Sequence, residues 1–573
     1  MPPGAIAHAT KAPPLDKRLA GRLSTTRGGE VAVGGTTMTY DYLIAGGGSA
    51  GATLAARLSE DPAVSVCLIE AGGDGRDLLV RVPVGVAAML PGRPAKINNW
   101  CFETVPQPGL GGRRGFQPRG KALGGSSAIN AMLYVRGHPS DYDDWAALGC
   151  EGWSWNDVLP WFRKAEGNGR GADEHHGSDG PLKVRDQPSP RAISHAFVEA
   201  CGRFQIRRND DFNGPEQEGA GLYQVTQFFD GPHRGERCSA AAAYLHPVMG
   251  RPNLTVVTGA HVTRIAIDGK RATGLHYRRG GRNEFVEARR EVIVSAGAFG
   301  SPQLLLLSGI GPADELKSHG LPIVHELPGV GRNLRDHLDF VLSWKSRRTD
   351  LFGIGLRGGL ALAGQVGAWR RDGSGHFASP IAEAGAFVKS RPGLDRPDLQ
   401  LHFCAGIVDD HTRKIHLGFG FSSHVCVLRP FSRGTVGLLD ANPLSAPRID
   451  PAFLSDPRDA DLLLKGAKLM RDILAAEPLA KYRHKELHID GPVSDAALME
   501  HIRARADTIY HPVGTCRMGI DDEAVTDPRL RVRGIEGLRV VDASVMPTLI
   551  GGNTNAPTIM IAERAAELIM AAA

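Results

Sequence analysis

The feature that most constrains the fold is a glycine-rich turn at residues 46–51, with the sequence GGGSAG. A short apolar strand at 40–45 precedes it, and small and apolar residues typical of a helix follow at 50–58. A second apolar strand at 64–69 ends at Glu70, about 20 residues after Gly51. This order of strand, glycine turn, helix and acid-terminated strand predicts a βαβ unit that binds a dinucleotide.

The glycines of the turn, and the acid that ends the second strand, have physical functions in such a unit. Gly46 permits the tight turn, and Gly48 lets a pyrophosphate approach the backbone at the helix N-terminus. Gly51 lets the helix pack closely on the strand, and Glu70 is placed to accept hydrogen bonds from a ribose. A chance glycine-rich turn would lack the flanking strands and the acid. We therefore expect an α/β fold with a doubly wound dinucleotide-binding domain.

Chain length, charge and hydropathy limit the number of domains and the classes of protein to which this chain can belong. At 573 residues the chain is too long for one simple core, and two domains are expected. The net charge of +5 is spread over 67 basic and 62 acidic residues, which does not indicate a nucleic-acid partner. No apolar stretch reaches 18 residues, so no transmembrane segment is predicted. Residues 1–38 show no hydrophobic period and no signal sequence, and we expect a disordered extension there.

The cysteines and one polar run are the candidates for a reactive or metal site. The eight cysteines are irregularly spaced and form no CxxC pair, which predicts neither a zinc site nor a disulfide framework and favours a reducing, cytoplasmic location. The run 173–176 (DEHH) is interpreted as a solvated loop rather than a metal site. Cys516 is interpreted as a small buried hydrophobe, because no acyl-transfer arrangement accompanies it. No metal is predicted.

Hydrophobic spacing gives a coarse map of the remaining chain. It predicts strands at 254–257, 262–265, 291–294 and 538–542, antiparallel strands of a second sheet within 399–439, and helices at 456–474, 494–506 and 557–570. Ser154 is a predicted N-cap for a helix that carries Phe162. Pro302 is expected to start another helix.

Two polar residues near the C-terminal end carry the expected chemistry. His511 lies in the sequence YHPVGTCRMG, and Asn555 lies 44 positions later in GGNTNAPT. A neutral imidazole accepts the proton of an alcohol hydroxyl, and a carboxamide donates a hydrogen bond to the same oxygen without titrating. Together with a redox dinucleotide, this pair predicts oxidation of an alcohol.

Four blocks of sequence resemble the glucose–methanol–choline (GMC) oxidoreductases, and within them the bacterial branch of choline dehydrogenases and alcohol dehydrogenases. The first block is the fingerprint through residue 72, and the second is 120–130 (GKALGGSSAIN). The third is 297–311 (GAFGSPQLLLLSGIG), and the fourth contains His511, Asn555 and the intervening 541–544 (VDAS). Together they run in the family's order from about residue 39 to the C-terminus.

The resemblance implies FAD in the doubly wound domain and a substrate domain built on an antiparallel sheet covered by helices. It implies that residues 39–340 are mainly the FAD-binding domain, 341–508 mainly the substrate domain, and 509–573 a return to the FAD domain. His511 is then the catalytic base and Asn555 its companion. Some relatives attach FAD through a histidine where this chain has Ile129, so non-covalent FAD is expected. Asp336 and His337 match a family motif that we interpret as structural or cofactor-supporting.

The same resemblance implies a set of residues around the cofactor. These are Gly46, Gly48, Ser49, Ala50, Gly51, Glu70, Ala71, Leu123, Gly125, Ser126, Asn130, Ala131, Met132, Leu133, Val262, Ala296, Gly297, Asp542, Ala543, Asn555, Pro557 and Thr558. The helix expected after Asn555 would direct its N-terminus toward the flavin, where negative charge on the reduced ring is favoured.

Several alternatives stay open from the sequence. The partners are a small alcohol and an electron acceptor, either a quinone or dye-type compound or oxygen. Peripheral membrane contact would follow from a quinone acceptor, and the oligomeric state is not readable. A fatty-acid photodecarboxylase or a hydroxynitrile lyase shares this fold, and a non-catalytic flavin-binding protein is a third interpretation.

Overall fold

The computed structural model describes residues 38–489 and 491–572. The extension expected over residues 1–38 therefore lies, apart from Met38, outside the described residues. The predicted βαβ unit is present as strand Thr39–Ala45, helix Ser49–Leu58 and strand Val66–Ile69, with the two strands parallel. The helix forms from small and apolar residues, and its alanines and Leu54 are buried against the first sheet.

The first sheet has seven strands and a doubly wound parallel centre. Its order is Ala260–Asp268, Arg271–Arg279, Arg282–Val294, Thr39–Ala45, Val66–Ile69 and Leu254–Val257, and Leu538–Val540 pairs with Arg282–Val294. The pairs around Thr39–Ala45 are parallel, whereas Arg271–Arg279 joins its two neighbours antiparallel. Buried Val, Ile and Leu side chains on these central strands suit a sheet that is covered on both faces.

The second sheet has eight strands, and all of its pairings are antiparallel. Its order is Lys485–Leu487, Leu338–Ser346, Gly418–Val427, Leu399–Cys404, Ala382–Val388 and Gly219–Leu222, with Gly353–Ile354 and Asp507–Thr508 attached at its side. Helices Ala192–Gly202, Pro457–Ala475 and Asp495–Arg505 form a separate core with it. The predicted fold class is thus confirmed, while the domain boundaries near residues 340 and 508 stay a prediction.

One helix begins earlier than the sequence predicts. It spans Gly297–Leu307, so Pro302 lies inside it rather than at its start. Proline has no N–H, and the carbonyl four residues earlier, that of Ala298, loses its usual intrahelical donor. The hydroxyl of Thr515 donates to this carbonyl at 2.6 Å, which satisfies the buried acceptor and makes the internal proline tolerable.

The remaining helices and strands are mostly short. The α-helices are Leu78–Arg81, Val86–Met89, Pro139–Ala147, Trp155–Ala165, Ala313–Ser318, Leu356–Ala363, Val366–Asp372 and Asn555–Met570. The strands are Phe102–Glu103, Phe116–Gln117, Glu166–Asn168, Leu182–Asp186, Gln224–Thr226, Ile310–Gly311, His325–Glu326, Thr435–Gly437 and Arg448–Asp450. Ser154 caps its helix in a reciprocal box with Asp157, as predicted for the N-cap. Among the described helices, none has the length and apolarity needed to cross a bilayer.

Candidate active site

A cavity of about 760 Å³ lies at the carboxyl ends of the parallel strands and reaches the second sheet. Gly46, Glu70 and Ser295 each follow a strand of the first sheet, whereas His402 and His424 belong to strands of the second. This is where a doubly wound sheet is expected to bind its ligand. The antiparallel sheet thus supplies the far wall of the same cavity.

Most of the residues predicted to surround the cofactor line this cavity. They are Gly46, Gly48, Ser49, Ala50, Glu70, Ala71, Gly125, Ser126, Asn130, Ala131, Met132, Leu133, Val262, Ala296, Gly297, Asp542, Ala543, Asn555 and Thr558. Gly51, Leu123 and Pro557 are not among the lining residues. A Cβ on Gly51 would lie 1.9 Å from the carbonyl oxygen of Gly46, so this glycine serves helix-to-strand packing.

The cavity has the features that FAD requires. Helix Ser49–Leu58 begins at the glycine turn without a side-chain cap and without an acid in its first turn. Helix Asn555–Met570 begins at the same cavity in the same way. Uncapped N–H groups and the helix dipole favour a diphosphate or an anionic ring. The Glu70 carboxylate accepts the backbone N–H groups of Gly47 and Gly72, both at 2.8 Å, and so holds the turn in shape. Ile129 lines the cavity with an aliphatic side chain that offers no atom for a covalent bond to flavin.

His511 lies at the second-sheet end of the cavity, where it contacts a carboxamide. Its Nε2 is 3.1 Å from the Nδ2 of Asn553. The amide oxygen of Asn553 accepts a hydrogen bond from Gln400 at 3.2 Å, which turns the amide NH2 toward the imidazole. Imidazole and carboxamide therefore converge on one point that faces the cavity, as expected for a pair that holds a hydroxyl group.

The carboxamide beside His511 is that of Asn553, whereas the sequence analysis named Asn555. The side-chain oxygen of Asn555 instead accepts the Ser49 hydroxyl at 2.7 Å, which links the starts of the two helices. Asn555 is the first residue of the closing helix, and Asn553 lies in the preceding turn. Both asparagines stand in the same short polar segment of the sequence, so spacing along the chain could not show which of them contacts His511.

A second histidine, His337, contacts the ring nitrogen of His511 that does not contact Asn553. The Nδ1 atoms of His337 and His511 are 3.0 Å apart, and the Nε2 of His337 is 2.9 Å from the carbonyl oxygen of Leu428. A carbonyl only accepts, so Nε2 of His337 carries the proton. Burial lowers the pKa of His337 to about 4, so the ring is neutral and its Nδ1 is unprotonated. The Nδ1 of His337 therefore accepts a hydrogen bond from the Nδ1–H of His511.

The resulting tautomer of His511 is the one that can act as a base toward the cavity. Burial also lowers the pKa of His511 well below its ordinary value, so this ring is neutral as well. With its single proton on Nδ1, its Nε2 carries a lone pair, which accepts a hydrogen bond from the Asn553 amide at 3.1 Å. The backbone N–H of His511 is fixed by Asp336 at 2.9 Å. The Asp336-His337 pair, expected to be structural or cofactor-supporting, thus positions the backbone and the ring of His511.

Two further histidines line the same end of the cavity. Neither ring nitrogen of buried His402 has a hydrogen-bond partner among the described residues, and burial lowers its pKa to about 3. His424 lies 2.7 Å from the Asp339 carboxylate. Burial acts to lower the pKa of His424, but the charge and hydrogen bond of Asp339 outweigh it and raise the pKa to about 10. The cavity therefore meets one neutral, unpartnered imidazole and one imidazolium. The sequence analysis missed both, since neither lies in a recognisable motif.

Comparison with known proteins identifies the family of this chain. Residues 40–339 and 430–562 match the sequence profiles of GMC oxidoreductases. An alcohol dehydrogenase [acceptor] of Pseudomonas putida is 47% identical over 540 residues, which cover 93% of this chain and 96% of the relative. The mitochondrial choline dehydrogenase of Homo sapiens is 43% identical and covers 92% of this chain and 89% of its own.

Solved structures show the same architecture. Pyridoxine 4-oxidase from Mesorbium loti superposes with a TM-score of 0.82 and 33% identity, over 92% of this chain and 98% of that one. The overall fold is thus shared with a solved structure that is 33% identical. The chain belongs to the GMC oxidoreductase family.

Proposed function

We propose that this FAD-dependent enzyme oxidises an uncharged alcohol to its aldehyde, with His511 as the base and Asn553 as the hydrogen-bond donor to the alcohol oxygen. The observation that carries the proposal is the convergence of His511 Nε2 and Asn553 Nδ2, 3.1 Å apart, on the cavity. FAD, when bound, supplies the two-electron acceptor for the hydrogen on the alcohol carbon. The electrons leave to a quinone- or dye-type acceptor or to oxygen.

The chain's own residues account for the proton. An alcohol hydroxyl that enters between the two groups replaces their hydrogen bond: it donates to the lone pair of His511 Nε2 and accepts from the Asn553 amide. The proton moves to Nε2, and the imidazolium that forms is next to the oxygen on which negative charge develops. His402, whose ring nitrogens have no partner among the described residues, is placed to supply a further hydrogen bond in the same pocket.

The charge of the pocket favours a neutral substrate. Among the described residues that line the cavity, the only acids are Glu70 and Asp542. Both carboxylates already accept backbone N–H groups of the cofactor-binding turns. A quaternary ammonium group is usually held by several aromatic faces or a carboxylate. The His511 end of this cavity offers the ring of Tyr510 and the His424 imidazolium, whose charge is already paired with Asp339. Choline is therefore a poor fit.

This argument predicts a clear order of substrates. 3,3-Dimethyl-1-butanol has the shape of choline without the charge, and it should reduce the flavin ~10–100-fold faster than choline at equal concentration, because the pocket offers the ammonium group no unpaired carboxylate to replace its hydration, a loss of about 1–3 kcal/mol. The measurement is the loss of flavin absorbance in the dark without oxygen. Equal or faster bleaching by choline would contradict the substrate assignment.

The same experiment separates the other functions that this fold can carry. A photodecarboxylase needs light, a hydroxynitrile lyase leaves the flavin oxidised, and a binding protein does not react. None of these would bleach in the dark with a simple alcohol. Failure of every alcohol in a panel of aliphatic, aromatic and furanic compounds would contradict alcohol oxidation itself.

The hydrogen bond by which His337 fixes the tautomer of His511 gives a prediction about His337. Replacing His337 with leucine removes the acceptor for His511 Nδ1–H, and an unpaired buried donor costs ~1–3 kcal/mol. His511 then favours the tautomer that carries its proton on Nε2, and kcat should fall ~10–100-fold with little change in KM. His337→Gln keeps an acceptor for His511 and a donor for Leu428, and it should recover much of the rate. If both variants lose the same activity in proportion to lost thermal stability, His337 is only structural.

A further inference from the structure

Outside the active site, three side chains from two separate segments meet at one point beside strand Lys485–Leu487, at the edge of the second sheet. Asp409 and His416 belong to the loop between strands Leu399–Cys404 and Gly418–Val427, and His488 follows strand Lys485–Leu487. One oxygen of Asp409 is 2.7 Å from His416 Nε2 and 3.0 Å from His488 Nε2. The three atoms lie within 4.8 Å of one another.

The orientation of the two rings is the first argument that this cluster is a ligand site. Both histidines direct the same ring atom, Nε2, at a single carboxylate oxygen, and their ring planes lie 79° apart. Two nitrogens and one oxygen within 4.8 Å of one another can form half or more of the coordination shell of zinc or a similar divalent transition metal. The carboxylate is 2% exposed, whereas the imidazoles are 18% and 28% exposed, so solvent reaches the remaining coordination position.

The charges around Asp409 are the second argument. The other oxygen of Asp409 accepts a hydrogen bond from Arg505 at 3.0 Å, so the carboxylate is already paired with one cation. Arg505 therefore occupies one carboxylate oxygen, and the oxygen that faces the two imidazoles is the one available to a metal ion. One carboxylate and two imidazoles are a donor set that divalent transition metals accept.

The backbone supplies a third, independent observation. His488 adopts a φ of 76°, a left-handed conformation that is uncommon for a residue with a side chain. Asp410, His411 and Thr412, next to Asp409, also have positive φ. Strain of this kind costs about 1–3 kcal/mol for each residue and concentrates at ligand sites. Here it brings the carboxylate and the imidazole from two segments to the same point.

We propose that Asp409, His416 and His488 bind one divalent transition-metal ion, zinc being the best match to this ligand set. The site is separate from the alcohol-oxidising centre and does not depend on that assignment. Its loop nevertheless contributes Val408 and Thr412 to the cavity wall. A bound ion would therefore fasten this part of the wall to strand Lys485–Leu487.

The test is calorimetric titration of the chelator-treated holoenzyme with Zn²⁺. We expect one ion per chain, and His416→Ala and His488→Ala should each weaken binding at least 10-fold. Arg505→Gln should tighten it several-fold, because a cation that repels the metal is removed. His195→Ala, an exposed histidine elsewhere, is the matched control and should change nothing.

The possible results separate cleanly. Mg²⁺ should not compete, since it prefers oxygen ligands. Absence of Zn²⁺ binding, or binding that is unchanged in His416→Ala and His488→Ala, overturns the proposal. Weaker binding in Arg505→Gln would also count against it, because it would mean that Arg505 organises the cluster as a hydrogen-bonded group rather than opposing a metal.

Discussion

Replacing His511 with alanine should lower kcat for alcohol oxidation by ~10²–10⁴, the usual contribution of a general base. The loss follows from the geometry: Nε2 of His511 is the atom that faces both Asn553 and the cavity. Burial lowers the pKa of this ring, so the base is present in its neutral form without prior deprotonation at neutral pH. The measurement is the rate of flavin reduction by a saturating primary alcohol without oxygen.

His511→Gln is the matched control for this prediction. Glutamine keeps a polar side chain in the pocket but has no basic nitrogen, so it should be nearly as slow as alanine. Flavin content and thermal stability of both variants should stay close to those of the parent enzyme. A glutamine variant that retains full flavin and more than about a tenth of the rate would mean that His511 only holds the alcohol and that the proton leaves by another route.

Those parts of the fold that depend on local pattern were predictable. The strand Thr39–Ala45, the glycine turn and helix Ser49–Leu58 are each specified by neighbouring residues, and their bounds agree with the prediction within one or two positions. The start of helix Gly297–Leu307 was not predictable, because it depends on a hydroxyl from Thr515, more than 200 positions away, that satisfies the carbonyl freed by Pro302.

The candidate site divides in the same way. His511 was found because its motif is continuous in sequence. Its contact with His337 joins residues 174 positions apart and depends on the pairing of strand Leu338–Ser346 with Asp507–Thr508 in the second sheet. No spacing rule predicts that one neutral imidazole will accept a hydrogen bond from another and so fix the tautomer of the donor ring. The same holds for His424, whose charge is set by Asp339 on the adjacent strand Leu338–Ser346.

Variants of Asn553 and Asn555 can separate two roles that were both expected of Asn555: donating a hydrogen bond to the alcohol oxygen and holding FAD. Asn553→Ala removes the amide that faces His511, and it should lower kcat by ~10²–10³, as loss of one donor to a developing oxyanion does. Asn555→Ala removes the acceptor of the Ser49 hydroxyl instead. It should weaken FAD binding while kcat of the FAD-saturated enzyme falls less than ~10-fold.

The two variants should be compared by kcat at saturating FAD and by the Kd of FAD in the reconstituted enzyme. They remove the same side chain two positions apart, so each serves as the control for the other. The reverse pattern, with slow chemistry in Asn555→Ala and an intact rate in Asn553→Ala, would require a rearrangement of the turn before helix Asn555–Met570 when FAD binds. Because Gln400 orients the Asn553 amide through a 3.2 Å hydrogen bond, Gln400→Leu should reproduce part of the Asn553→Ala loss and leave FAD binding unchanged. A lower kcat in this third variant would show that catalysis depends on the orientation of the Asn553 amide and not only on the conformation of the turn that contains it.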